Sequence, residues 1–324
     1  MVVVLITGGT GFIGSMLARQ LIKQHYSVYI ATHRDDFDRN RVEGAKYVTG
    51  DIRVNAHGPF VHSNPKIVIH LAALTPVRFS YSNAWNYYYT NVVGTANVVH
   101  EALTTRVRQF IMASTAEVYP YTKEKVYWRE SDNLSVNAAS SPYAASKRGA
   151  EEVVKEAGER GLNYTILRCT NTYGRSNPAL PEQSSGYFIE KAIISMLRDE
   201  KEIKFDGYPE SERQWMYWQD HVNAYLSVVE NEKAYRQTIN FAPDAAYSCG
   251  DVVKQLQSIT HYRGDITWGH NPRPIDPNML LVDNTKSKEI GWRASYRLAD
   301  GLALAVQEYR KILGKILSTG SNAM

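Results

Sequence analysis

The sequence predicts an α/β fold with a doubly wound parallel sheet and a smaller C-terminal domain. Three observations lead to this prediction. Short apolar runs alternate with longer amphipathic runs over the first half of the chain, the first apolar run ends in a glycine-rich turn, and Gly, Pro and Ser become frequent after about residue 170. Strands that alternate with helices form right-handed crossovers, and these build a parallel sheet covered on both faces.

The predicted strands are nearly continuous apolar runs, as expected for strands buried on both faces. They lie at 2–7, 27–32, 66–72, 107–114 and 163–169. Amphipathic runs predict the helices that connect them, at 12–24, 83–103 and 141–160.

Helical patterns return in the second half of the chain, between loops rich in Gly, Pro and Ser. Because open α/β sheets bind ligands outside the carboxyl ends of their strands, a loop-rich part beside that edge is expected to bind the substrate. We therefore expect the main sheet domain at 1–170 and a mainly substrate-binding domain at 171–315, with some segments returning to the first. Residues 316–324 are expected to form a disordered tail.

Composition excludes several classes of protein. The 324 residues are 44% hydrophobic and 22% charged, which is the balance of a globular protein. The net charge of +4 is spread along the chain, so no nucleic-acid partner is expected, and no window approaches the roughly 18 apolar residues of a membrane span. Two cysteines, Cys169 and Cys249, are too few for a disulfide framework and favour a cytoplasmic location.

Residues 7–14, TGGTGFIG, follow the first predicted strand and open the first predicted helix. They contain Gly9-x-Gly11-x-x-Gly14, the spacing that lets backbone N–H groups approach a pyrophosphate at the positive end of a helix dipole. A plain strand–helix turn is the alternative. Because strand, helix and spacing all agree, the sequence predicts a nicotinamide dinucleotide site here.

The end of the second predicted strand bears on which dinucleotide binds. NAD sites usually carry an acidic residue there for the ribose 2′-hydroxyl, whereas an arginine accommodates the 2′-phosphate of NADP. This strand ends in Thr32, and Arg34 follows. The pattern favours NADP, and NAD stays the alternative if Asp35 or Asp36 reaches back to the ribose.

Two further stretches carry candidate chemistry. Tyr143 and Lys147 are spaced i, i+4, so they are neighbours on one helical face, where an ammonium lowers the pKa of a phenol and makes it a usable proton shuttle. The strand at 107–114 runs into two hydroxyls, Ser114 and Thr115, followed by the carboxylate of Glu117. Together with the glycine turn, these residues point to oxidation and reduction of a hydroxyl group.

Several segments in this order resemble the extended short-chain dehydrogenase/reductases of the nucleotide-sugar epimerase/dehydratase type, over roughly residues 2–313. The matching segments are TGGTGFIG at 7–14, GDI at 50–52, HLAA at 70–73, NVVGT at 91–95, AST at 113–115, YAASK at 143–147 and NTYGR at 171–175. The stretch RQWMYWQDHVNAY at 213–225 resembles the family's Arg-Asp-Trp/Phe segment, with Gln214 in place of the Asp. The resemblance implies a Rossmann fold, an NAD(P) cofactor and a nucleotide-sugar substrate.

The resemblance also implies roles for individual residues. The catalytic residues would be Thr115, Glu117, Tyr143 and Lys147. The cofactor would be contacted by Gly8, Gly11, Phe12, Ile13, Gly14, Arg34, Asp51, Ile52, Leu71, Ala72, Ala73, Asn91, Tyr143 and Lys147. The substrate would be contacted by Thr75, Thr115, Asn171, Arg213, Arg273 and Asp276. No metal is expected.

In this family the first step is oxidation of the sugar at C4. An epimerase then returns the hydride to the opposite face, which needs no further acid or base. A 4,6-dehydratase removes the C5 proton and expels water from C6, so it needs a carboxylate next to the threonine, and Glu117 matches that position. Ala116 lacks the acid that many dehydratases carry there.

We therefore expect a sugar-nucleotide 4,6-dehydratase, with a 4-epimerase of the UDP-glucose type as the alternative. A 4-keto reductase or a decarboxylase is a less favoured alternative, and decarboxylases of the group also carry a Glu at this position. A non-catalytic NADP-binding sensor is the remote alternative, because such proteins commonly lose the Tyr or the Lys.

The helices at 83–103 and 142–160 are rich in Tyr, Ala and Val. In the family the equivalent pair forms a four-helix bundle with its copy, so the resemblance implies a homodimer. The alternative is that these faces pack only within one chain.

Overall fold

The computed structural model describes residues 1–33, 41–54, 56–134, 139–174, 188–269 and 279–320, with side chains up to residue 314. The described strands are β1 Val3–Thr7, β2 Ser27–Thr32, β3 Lys46–Thr49, β4 Ile67–His70, β5 Gln109–Thr115, β6 Tyr127–Trp128, β7 Tyr164–Cys169, β8 Thr172–Tyr173, β9 Glu202–Asp206, β10 Glu212–Arg213, β11 Met216–Tyr217, β12 Gln237–Phe241, β13 Tyr247–Ser248, β14 Asp265–Gly269 and β15 Met279–Val282. The described α-helices are α1 Phe12–Lys23, α2 His57–Ser63, α3 Val77–Ser80, α4 Ala84–Tyr88, α5 Gly94–Thr104, α6 Pro142–Glu159, α7 Phe188–Leu197, α8 Trp218–Val228, α9 Cys249–Thr260, α10 Thr285–Glu289 and α11 Leu298–Gly320.

The central sheet has seven strands in the order β12-β7-β5-β4-β1-β2-β3, and every pairing in it is parallel. Successive residues of β1 enter two different apolar clusters, with Val4 and Ile6 in one and Leu5 in the other. Because side chains alternate across a strand, both faces of the sheet are buried under helices. The predicted doubly wound α/β fold is confirmed.

Two strands of this sheet were not predicted. β3 is a short, half-buried edge strand that follows β2, and β12 comes from the second half of the chain and pairs with β7. The return of β12 to the main sheet agrees with the expected returning segments. The domain boundaries themselves stay a prediction.

Two helices differ from their predicted form. The helix predicted at 83–103 is divided into α4, a π-helical turn at Tyr89–Val93 and α5. α11 continues to Gly320, although a disordered tail was expected from 316. Ile316 and Leu317 lie four residues after Ile312 and Leu313, so the apolar helical spacing continues into the segment assigned to the tail.

The second half of the chain builds its own core beside the carboxyl edge of the main sheet. α7, α9 and α11 pack around a second set of buried residues that includes Ile193, Leu256 and Leu302. Short strands join it in a four-stranded sheet of order β13-β10-β15-β6 and in the pairs β11-β8 and β14-β9. No helix in the described part of the chain combines the length and apolar content needed to cross a membrane.

Candidate active site

The glycine turn between β1 and α1 is closely packed against the loop that follows β4. Gly8 has φ +71°, and a Cβ there would lie 2.6 Å from the backbone N of Ala72, while a Cβ at Gly14 would collide with the carbonyl of Gly8. α1 begins at Phe12 with Gly11 as its N-cap, and it has no side-chain cap and no acidic residue in its first turn. This bare, positive helix end fits the pyrophosphate of a dinucleotide.

His70 joins the glycine turn to the helical layer behind it. Its Nδ1 lies 2.7 Å from Thr7 Oγ1, and its Nε2 lies 2.9 Å from Thr95 Oγ1. The Thr95 hydroxyl donates to the backbone O of Asn91, so Nε2 carries the imidazole proton and Thr7 donates to Nδ1. Burial, with a smaller effect of the Lys147 charge, lowers the pKa of His70 to about 3, so the ring is neutral.

Asn91 lies in the π-helical turn and is buried. Its Oδ1 accepts from the N of Leu74, and its Nδ2 donates to the O of Leu74 and, at 2.9 Å, to Ser146 Oγ on α6. Such π-turns are frequent at functional sites because they redirect one side chain. Asn91 thus connects the loop after β4 to α6, and a direct contact with the cofactor stays a prediction.

Asp51, which is predicted to contact the adenine, lines a cavity of about 380 Å³ together with Thr49, Gly50, Val54, Gly58 and Pro59. Both carboxylate oxygens of Asp51 accept from Arg53, whose hydrogen bonds hold the pKa of that carboxyl below its ordinary value. Ile52 packs against Gly94 of α5. Thr32 is buried at the end of β2, and Arg34 lies outside the described residues.

Tyr143 and Lys147 lie one turn apart in α6, and both are buried. Ser141 caps this helix by accepting from the N of Ala144, and Pro142 occupies its first position. The ring of Tyr87 packs edge-on against Tyr143, with centroids 6.3 Å apart. Burial lowers the pKa of Lys147 to about 8, so the ammonium is charged at neutral pH and suited to stabilise a phenolate.

Thr115 and Glu117 lie where β5 ends in a short 3₁₀ turn at Ala116–Val118. Thr115 Oγ1 accepts from the N of Glu117 at 3.1 Å, which fixes the turn. Ala116 is buried in an apolar cluster with Val118 and neighbouring residues. The Glu117 carboxylate is half-buried and accepts a hydrogen bond from the phenol of Tyr121. A hydroxyl and a carboxylate are therefore held together at this strand end.

The substrate side is only partly described. Arg213 is buried on β10, and its guanidinium lies 6.0 Å from the ring centre of Tyr121, which connects it to Glu117. Asn171 is half-buried and its O accepts from the N of Met216, whereas Thr75 is exposed beyond the loop after β4. Arg273 and Asp276 lie outside the described residues, as does the loop at 176–186. No group of three acidic, His or Cys side chains that could hold a metal occurs within the described ranges.

A model of the NAD dependent epimerase/dehydratase family matches residues 4–242. The chain belongs to this family. A human dTDP-D-glucose 4,6-dehydratase is 28% identical over 95% of this chain and 90% of the relative. The solved UDP-glucose 4-epimerase of Thermotoga maritima, in complex with UDP-glucose, is 28% identical, with a TM-score of 0.86 over 96% of this chain and 99% of the other. MoeE5, solved with UDP-glucuronic acid and NAD, is 25% identical, with a TM-score of 0.83 over 95% and 99%.

Membership of the epimerase/dehydratase family makes the departure at Gln214 informative. The side-chain amide nitrogen of Gln214, Nε2, donates to the O of Pro243 at 2.8 Å and to the O of Val282 at 3.2 Å. Its amide oxygen, Oε1, accepts from the N of Val282. An aspartate could only accept, so it could not satisfy these two carbonyls. Gln214 therefore serves as a clamp between β15 and the chain after β12.

The sequence analysis did not predict a buried ion pair that joins α6, the helix of Tyr143 and Lys147, to β7. Glu151 accepts from Arg168 at 2.9 and 2.6 Å and from Ser114 Oγ at 2.5 Å, and Arg168 also donates to Tyr119. Burial would raise the pKa of Glu151, but the charge and hydrogen bonds of Arg168, the hydrogen bond from Ser114 and the charge of Lys155 together hold that pKa below its ordinary value. An arginine inside the apolar run at 163–169 was the available signal, since Arg is rarely buried without a partner.

Proposed function

We propose that this chain is a sugar-nucleotide 4,6-dehydratase that acts through a 4-keto sugar. The observation that carries the proposal is the Glu117 carboxylate, held beside Thr115 at the end of β5 by the phenol of Tyr121. Family membership supplies the nucleotide-sugar chemistry, and the similarity to a human dTDP-D-glucose 4,6-dehydratase supports elimination.

The first step is oxidation at C4 of the sugar. A bound nicotinamide dinucleotide supplies the hydride acceptor. Tyr143 takes the proton of the 4-hydroxyl, Thr115 holds that hydroxyl, and the buried positive charge of Lys147 stabilises the phenolate. Because the pKa of Lys147 is about 8, its ammonium is charged at neutral pH while Tyr143 accepts the proton.

The second step is elimination. The new ketone acidifies the C5 proton, which the Glu117 carboxylate removes while the C6–O bond breaks, and that proton leaves with the departing hydroxyl as water. In a third step C6 regains the hydride that was taken from C4 and C5 takes a proton from solvent, which leaves the dinucleotide oxidised and gives a 4-keto-6-deoxy sugar. Arg213, on the other side of Tyr121, is suited to bind the diphosphate of the nucleotide and so to position the sugar over Glu117. Arg273 and Asp276 are proposed to grip the nucleotide, and Asn171 to approach the phosphates.

A 4-epimerase is the second candidate, and Ala116 favours it. Ala116 is buried and carries no acid for the leaving hydroxyl, and an epimerase needs none. The similarity to a UDP-glucose 4-epimerase structure agrees with this candidate. Mass spectrometry of the products from dTDP-glucose and UDP-glucose separates the two, because dehydration removes one water whereas epimerisation leaves the mass unchanged. An unchanged mass with altered chromatographic retention contradicts the dehydratase proposal.

We propose NADP as the cofactor, with NAD as the alternative. The support is that β2 ends in Thr32, which offers no carboxylate for a ribose 2′-hydroxyl, and that Arg34 follows. A structure similar to this chain holds NAD, which supports the alternative. Titration of the protein with each dinucleotide decides between them, and tighter binding of NAD contradicts our choice.

We also propose a homodimer formed by the helices at 83–103 and 142–160. Large apolar side chains are exposed on and beside these helices, with Trp85 74% and Phe79 62% accessible and with Tyr88 and Val93 also exposed. Light scattering after chromatography tests this proposal, and Trp85→Glu is expected to shift the dimer toward monomer. Two free thiols, Cys169 and Cys249, support a cytoplasmic location.

A further inference from the structure

Tyr121 lies just beyond the 3₁₀ turn and contacts both charged groups of the substrate side. Its phenol donates to Oε2 of Glu117, and the guanidinium of Arg213 lies over its ring, 6.0 Å from the centre. Neither contact follows from the segments that resemble the family, because Tyr121 lies outside all of them.

The position of Tyr121 is set by strand β15 rather than by its own segment. The residue after it, Thr122, forms an isolated antiparallel bridge to Met279, with N···O distances of 3.3 and 3.1 Å. The next residue of the same strand, Leu280, is the partner of Arg213 on β10. One strand therefore holds Tyr121 on one side and Arg213 on the other.

The surroundings of Tyr121 keep its phenol protonated. Burial, followed by the charge and hydrogen bond of Glu117, raises the pKa of Tyr121 well above its ordinary value, and the opposing effect of Arg213 is smaller. A protonated phenol beside a carboxylate acts as the hydrogen-bond donor, so Tyr121 donates to Glu117.

We propose that Tyr121 is a positioning residue for the elimination step, which orients the Glu117 carboxylate. This inference rests on the proposed dehydratase function. Because the phenol occupies Oε2, the carboxylate presents Oε1 to the C5 proton. The proton moves from C5 to Oε1, the C5–H electrons form the C5=C6 bond, and the C6–O electrons leave with the hydroxyl.

The same arrangement explains how elimination proceeds with alanine at position 116. No acid stands there, so the proton that Glu117 has taken passes to the departing oxygen and completes the water molecule. Glu117 returns to its carboxylate form and Tyr121 is unchanged. Proton and electron counts balance, and the step needs no group beyond those named.

The test compares Tyr121→Phe with the unaltered protein, using dTDP-glucose and UDP-glucose in D₂O. Deuterium incorporation at C5 and loss of water report the elimination, and nicotinamide absorbance reports oxidation at C4. We expect C5 exchange and water loss to fall about tenfold, as for one hydrogen bond to a charged group, while C4 oxidation stays within about twofold. Tyr127→Phe is the matched control, since Tyr127 lies in the same segment and is 42% exposed.

A double variant separates this role from general damage. In a Glu117→Gln background, Tyr121→Phe should cause no further loss of C5 exchange, because Tyr121 acts only through Glu117. Equal C5 exchange in the unaltered protein and Tyr121→Phe overturns the inference, and so does an equal fall in C4 oxidation and C5 exchange. If the unaltered protein oxidises both sugars at C4 without any C5 exchange, the dehydratase proposal itself fails.

Discussion

The surroundings of α6 and the substrate-side sheet hold their polar side chains in different ways. Around α6 the polar side chains form one buried network: Glu151, Arg168 and Asn91 are each 1% exposed, and His70 is 3% exposed. On the substrate side, Arg213 and Gln214 are also buried, but they stand beside partly exposed groups, such as the ion pair of Lys125 with Glu212 and the contact of Tyr121 with Glu117.

This difference matches the two tasks of the site. Hydride and proton transfer at C4 need a fixed geometry, which a buried hydrogen-bond network provides. Binding of a particular sugar nucleotide needs groups that can be varied without loss of the scaffold, and two-residue strands such as β10 allow this.

The largest effect is expected for Tyr143→Phe. Without the phenol no group takes the C4 hydroxyl proton, so turnover should fall by about 10² to 10⁴, while dinucleotide binding persists. Nicotinamide absorbance with dTDP-glucose and UDP-glucose measures turnover, and titration with the dinucleotide measures binding. Tyr208→Phe is the control, since Tyr208 is exposed on the second half of the chain. Unchanged turnover in Tyr143→Phe would remove the mechanism proposed here.

The next effect concerns the buried pair behind the catalytic helix. Arg168→Met leaves the Glu151 carboxylate buried without its cation and should lower the free energy of unfolding by about 3–5 kcal/mol. Adding Glu151→Gln should restore part of this loss, because the uncompensated charge is then removed. Urea denaturation measures both variants. A loss below about 1 kcal/mol would mean that this region is as tolerant as the substrate side.

On the substrate side, Gln214→Glu is expected to have a smaller effect. The new carboxylate would face the carbonyls of Pro243 and Val282, which now accept from the amide, and the loss should be about 1–3 kcal/mol of unfolding free energy. Gln214→Asn keeps the amide group but shortens the side chain by one methylene, so it tests whether side-chain length contributes to this stability. A Gln214→Glu protein as stable as the original would show that the clamp is not needed.

The smallest effect is a pH dependence around the catalytic lysine. Burial depresses the pKa of Lys147 to about 8, so its charge is present below that pH and is lost as the pH rises through it. kcat/KM should fall about twofold at pH 8 and continue to fall above it. Groups that face Lys147 are Glu151 on its own helix and neutral His70 on β4. Lys147→Arg should shift this limb upward, since a guanidinium stays charged; an unmoved limb would assign it to another group.

The apolar runs of the sequence were sufficient to predict most strands of the main sheet. Apolar runs at 2–7, 27–32, 66–72, 107–114 and 163–169 became β1, β2, β4, β5 and β7, because buried parallel strands need continuous apolar sequence. β12 was not predicted, since its run QTINF is short and partly polar, and its place beside β7 depends on packing from a distant part of the chain.

In the candidate site too, some features follow from local sequence spacing and others depend on contacts between distant segments. The spacing of Tyr143 and Lys147 is a local property of one helix, so four residues of sequence are enough to place both on one face. The ion pair of Glu151 with Arg168 was not predicted. Arg168 stands inside the apolar run at 163–169, but no local pattern identifies Glu151 as its partner, because their contact depends on the packing of α6 against β7. The π-turn that redirects Asn91 likewise depends on its partners, Leu74 and Ser146, in other segments.

The parallel sheet, the glycine turn, the family and the placement of Tyr143 and Lys147 on one helical face follow from short-range spacing and composition. Which groups surround Glu117 depends on contacts between distant segments. β15 brings Thr122 and Arg213 to its two sides, and Tyr121 thereby meets a carboxylate and a guanidinium at once. Long-range strand pairing sets that geometry, and no window of sequence contains it.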